Sequence, residues 1–116
     1  MKRLLLLALI VGCTDRELVE DPTQPTEAEQ LFIDDVLPML EANCVACHGS
    51  SSTAGFENGF LAGESWQEVR ATLLASEVIG PEATRSRLLT KGEHSGPHLS
   101  AEQTSLILRW LGAEGL

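Results

Sequence analysis

The sequence predicts an all-α fold, and three observations carry that prediction. Apolar residues recur at helical spacing in three segments. A Ser or Thr with Glu or Gln three residues later opens each of them. No stretch alternates apolar and polar residues as a half-buried strand would. In the first segment Thr26 and Glu29 form the capping pair, and Phe32, Ile33, Val36, Leu37 and Leu40 lie on one face; Pro38 inside this pattern predicts a kink or break. In the second, Ser65 and Glu68 open a helix with Trp66, Val69, Leu73 and Leu74 on its apolar side, ending before Gly80-Pro81. In the third, Ser100 and Gln103 precede Leu106, Ile107, Trp110 and Leu111, with Gly112 as the expected end.

The chain has 116 residues, enough for one small domain. It opens MKRLLLLALIVGC: two cations, an apolar run from Leu4 to Val11, then Gly12 and Cys13. That is the pattern of a secretory signal peptide over residues 1–12, and the run is shorter than the about 20 residues a spanning helix needs. Ile10-Val11-Gly12-Cys13 resembles the bacterial lipoprotein cleavage box, which implies acyl chains on Cys13 and a membrane anchor. Thr14 rather than Asp follows, so the inner-membrane retention signal of some lipoproteins is absent and the outer membrane is favoured. Residues 13–30 carry six acidic residues and two prolines from Thr14 onwards, a composition that predicts a flexible tether spanning about 20–25 Å, with the domain proper beginning near Thr26. Removing Lys2 and Arg3 takes the formal charge from −9 to −11, which argues against nucleic-acid binding and favours partners with a basic docking patch.

Residues 43–50 read NCVACHGS. C-x-x-C-H is a haem-attachment signature: positions three apart share a helix face, so Cys44 and Cys47 can form thioethers along one porphyrin edge while His48 binds the iron. Two other chemistries use similar residues. A thioredoxin-like dithiol belongs beside a strand-helix-strand pattern, which is missing here. A zinc site could combine Cys44, Cys47 and His48 with His94 or His98, but adjacent Cys47-His48 fits no usual zinc spacing. The haem reading also accounts for the odd cysteine count, with lipid on Cys13 and haem c on the other two. From Thr26 onwards the only aromatics are Phe32, Phe56, Phe60, Trp66 and Trp110, so a haem would supply core that the chain lacks. Residues 49–64, with four glycines, form a long connection suited to wrapping such a group.

The distal iron position has several candidates. Met39 lies five residues before Cys44 on the same segment and reads as core filler, and no methionine follows His48. His94, among Gly92, Ser95 and Gly96, is the preferred ligand; His98, after Pro97, is the alternative, and an open or water-bound iron is the third option. Bis-histidine ligation predicts a low reduction potential compared with His/Met.

Val36-x-Pro38-x-Leu40-x-x-x-Cys44-x-x-Cys47-His48-Gly49 resembles the front of a widespread group of bacterial cytochrome c-like domains. Pro81 to Leu88, with Ser86 and Leu88, resembles their P-x-x-S-x-L segment, and Leu99-Ser100-x-Glu102 and Trp110-Leu111-x-Ala113 resemble their close. Many members carry a distal Met before the last helix; this chain has His94 nearby instead. The resemblance implies a monohaem cytochrome c-like domain over residues 31–116, wrapped around one covalent haem, with Arg85, Arg87 and Lys91 in the region from which propionate partners come. The expected function is single-electron transfer between larger redox partners by a monomer anchored on the periplasmic side of a bacterial membrane. No enzymatic activity is expected, since the sequence offers no constellation of nucleophile, base and oxyanion donors. The alternative is a haem-based sensor or small-ligand-binding module with a labile distal histidine.

Overall fold

The structure, a computed structural model, describes residues 23–49, 59–90, 96 and 98–116; the leader, Cys13, Phe56, Lys91 and His94 lie outside them. Helix α1 (Glu27–Leu31) starts where the capping pair predicts. Thr26 Oγ1 accepts from the Glu29 N–H at 3.3 Å, and the Glu29 carboxylate accepts from the Thr26 N–H at 2.8 Å. Ala28 is already buried and residues 27–30 are helical, so they belong to the folded unit.

The helix continues through a π-helical segment, Phe32–Val36, into α2 (Leu37–Asn43). Pro38 therefore does not end it. The Leu37 N–H reaches back five residues to the Phe32 carbonyl, and this wider turn directly before the proline relieves the clash its ring would make in a regular α ladder. The break falls later, at Cys44, whose φ of −127° and ψ of −27° separate α2 from the single turn α3 (Val45–His48). Asn43 secures the end of α2 by donating its side-chain N–H to the Met39 carbonyl at 2.7 Å.

Helix α4 (Trp66–Ala75) has half of the expected capping box. Ser65 Oγ accepts from the Glu68 N–H, but the Glu68 carboxylate takes the N–H of Glu64 instead of Ser65. It stops at Ala75, well before Gly80-Pro81, because Ser76 turns extended and its hydroxyl donates to the Leu73 carbonyl at 2.6 Å. A 3₁₀ turn (Ala83–Arg85) and α5 (Arg87–Thr90) follow, neither predicted from periodicity. Ser86, between them, is fully buried and accepts the Gly80 N–H at 3.1 Å, while the Leu88 N–H bonds to the Val78 carbonyl at 2.9 Å.

Helix α6 (Ala101–Ala113) has the full reciprocal cap between Ser100 and Gln103. It runs one residue past Gly112, is capped by Glu114, and the chain turns away at Gly115, at φ 86°. The Gly115 N–H bonds to Gly112 and the Leu116 N–H to Leu111, the paired 5→2 and 6→1 bonds of a Schellman end. No strand occurs among the described residues, in keeping with an all-α class.

Helix α6 packs across α1 and the π segment. Phe32, Val36, Leu40, Leu73, Ile107, Trp110 and Leu111 are wholly buried in one core, with the Phe32 and Trp110 rings 5.1 Å apart and tilted by 40°. The Trp110 indole N–H donates to Glu114 Oε1 at 2.8 Å. Arg70 on α4 grips the same carboxylate with two bonds of 2.7 Å and lies 3.6 Å from Glu29 on α1. The bonds to Glu114 raise the Arg70 pKa, so its charge is fixed.

Two outcomes follow from this lock. Arg70→Met should lower stability by about 1–3 kcal/mol, because it leaves a nearly buried carboxylate without its cation. Adding Glu114→Gln should recover part of that loss, because the neutral amide needs no cation and its oxygen still accepts from the Trp110 N–H; urea unfolding of the single and double variants measures both. The Thr26 hydrogen bonds depress the Glu29 pKa. Its contribution to stability is thus present above the ordinary carboxylate range and is lost as pH falls through the depressed value. Unfolding followed from neutral to acidic pH should show this loss in the wild type and a flatter profile in Glu29→Gln.

Candidate functional site

The predicted site residues Cys44, Cys47 and His48 sit together at the far end of the α1–α2 rod. The turn that carries them is short, and its backbone bonds explain its shape. The Cys44 N–H still bonds to Leu40 at 2.8 Å, closing α2, while the Cys44 carbonyl accepts from both Cys47 (3.2 Å) and His48 (3.0 Å), opening α3. Cys44 is therefore the hinge residue, the C-cap of one helix and the N-cap of the next. It is half-buried and packs on the core, whereas Cys47 is exposed; both are thiols.

Gly49 closes the turn with extended backbone, its N–H bonded to the Val45 carbonyl at 2.9 Å. A Cβ at this position would lie 2.8 Å from the Val45 carbonyl oxygen and 2.7 Å from its Cγ2. The chain passes so close over the preceding turn that only glycine fits, which gives the residue after His48 a structural reason.

His48 is held from two sides. Its carbonyl accepts the Leu61 N–H at 3.0 Å, and Leu61 is buried in the core. Its imidazole stacks on the Phe60 ring, with centroids 4.4 Å apart and planes 29° from parallel. The sequence marks Phe60 and Leu61 only as scattered apolar residues of a glycine-rich connection. A contact between residues twelve apart, in a segment without periodicity, leaves no local signal.

Among the described residues, no group of three or more His, Cys, Asp or Glu converges as metal ligands would. Cys44, Cys47 and His48 share a turn without pointing at one centre, and His98 is exposed ahead of the α6 cap. Among the described residues this arrangement does not assemble the four-ligand zinc site, and His94 lies outside them. Thioether formation asks the two sulfurs to reach separate vinyl groups, and only the imidazole to reach the iron. Of the basic residues expected near propionates, Arg85 is exposed and 3.5 Å from Glu82, and Arg87 is exposed; Lys91 lies outside the described residues.

Comparison with protein-family models, curated proteins and solved structures gave no match.

Gly49→Ala should destabilise the protein by about 1–3 kcal/mol through overpacking. Combining it with Val45→Ala should restore little, since the blocking carbonyl oxygen remains; the denaturant midpoints of the two variants check this.

Proposed function

We propose that the chain is a c-type cytochrome that transfers single electrons, with one haem fixed through Cys44 and Cys47 and ligated by His48. The observation that carries this reading is the turn itself: C-x-x-C-H-G folded as one helical turn, its cysteines at the N-cap and three residues on, its histidine held by Leu61 and Phe60, and its glycine required by close packing. When bound, haem supplies a one-electron iron couple.

The chain's own residues have limited tasks. Cys44 and Cys47 would anchor the group, and exposed Cys47 is reachable by an attachment apparatus. His48 would present its imidazole to the iron from a fixed backbone. His94, or His98 as the alternative, would fill the opposite position. The rod leading to the site exposes Glu27, Asp34, Asp35 and Glu41, so a partner with basic residues around its docking surface would be attracted to this side. Export through residues 1–12 and acylation of Cys13 complete the proposal, placing the domain outside the cytoplasm on a tether.

The test is expression with cytochrome maturation machinery, followed by mass and visible spectroscopy. The expected wild-type product carries one covalent haem with a low-spin spectrum, and Cys44→Ser with Cys47→Ser abolishes covalent attachment. His94→Ala should convert the product to a high-spin spectrum, with His98→Ala silent. A wild-type mass without added haem, despite active machinery, overturns the reading.

A further inference from the structure

We infer that Phe60 is a positioning residue for His48: its ring fixes the plane of the imidazole and so the orientation in which that imidazole can bind a ligand. The part concerning iron rests on the reading just proposed; the part concerning His48 does not.

The geometry is specific to this pair. A single-turn helix of four residues has too few internal bonds to hold a side chain rigidly at its last position. Here the last position is His48, and it is tied to a second segment by two contacts from consecutive residues. The Leu61 N–H bonds to its carbonyl at 3.0 Å, fixing the backbone. The Phe60 ring stacks on its imidazole at 4.4 Å and 29°, restricting rotation of the ring. Leu61 is 5% exposed and Phe60 packs on the same core, so both contacts are referred to the rigid body of the protein and not to a loose loop. Ligand-binding histidines are commonly oriented by a hydrogen bond from the second ring nitrogen. An aromatic face does a different job: it sets the ring plane and keeps water from one side of the imidazole, without choosing a tautomer.

Phe60→Leu keeps an apolar side chain on the core but removes the flat face, while Phe60→Tyr keeps the face. The apo protein is read first, by NMR of the His48 ring protons. In the wild type and Phe60→Tyr these should be displaced upfield by the neighbouring ring, and in Phe60→Leu they should return towards the positions of exposed His98. The haem-loaded ferric proteins are read next, by electron paramagnetic resonance, whose g-anisotropy reports the plane of an axial imidazole. Phe60→Leu should change the anisotropy or give mixed species at unchanged haem content, and Phe60→Tyr should match the wild type. Unmoved His48 signals in apo Phe60→Leu overturn the stack. A lost stack with unaltered g-values in the loaded protein overturns its positioning role. Absence of covalent haem in the wild type defeats the cytochrome reading instead, and the apo spectra still decide whether Phe60 orients His48.

Discussion

The structure depends on the burial of one indole. Trp110 is wholly enclosed by α1, the π segment and α6, and an enclosed N–H must find an acceptor or cost on the order of 1–3 kcal/mol. Glu114, one turn later, is that acceptor. A carboxylate so nearly buried then needs a cation, and Arg70 comes from α4 to supply it with two parallel bonds. Arg70 also approaches Glu29, whose carboxylate caps the start of α1. One buried ring thus commits three helices and both ends of the folded unit to a single arrangement.

That arrangement delivers the candidate site. The α1–α2 rod is clamped to α6 through Phe32 and Trp110 near its beginning, and Val36 and Leu40 continue the buried face along it. Leu40 is the last wholly buried residue before the site, and its carbonyl holds the Cys44 N–H. The position of Cys44 is therefore inherited from the core through one continuous helix. Beyond Cys44 the backbone bends, and the next residues, Val45, Ala46 and Cys47, are exposed. The site begins where the frame ends.

Much of this was legible in the sequence, and what was not has a common cause. Helix starts at Thr26 and Ser100 were readable because a capping box is a local pattern with a fixed spacing. The C-x-x-C-H turn was readable for the same reason. The π segment before Pro38 was not, since the proline announces a disturbance but not how the ladder absorbs it. The Schellman end at Gly115 was missed because Gly112, three residues earlier, carries the same composition signal without the positive φ. Arg70 with Glu114, separated by 44 positions, and Phe60 with His48 depend on chain path, which local spacing does not encode.

The contrast between frame and site bears on how a prosthetic group could be held. α3 has four residues and no wholly buried side chain, and a helix this short is unstable by itself. It borrows order from Leu40 on one side and from Phe60 and Leu61 on the other. A group retained only by packing would need a preformed apolar pocket, and among the described residues this end of the fold has few buried apolar side chains beyond Leu40 and Leu61. Two covalent bonds, from Cys44 and Cys47, would remove that need, because retention would no longer depend on buried area. The same bonds would brace Cys44 and Cys47 against each other through a rigid ring and stiffen a turn with few bonds of its own. On the proposed reading, covalent attachment therefore holds the group at a turn whose own side chains are not buried.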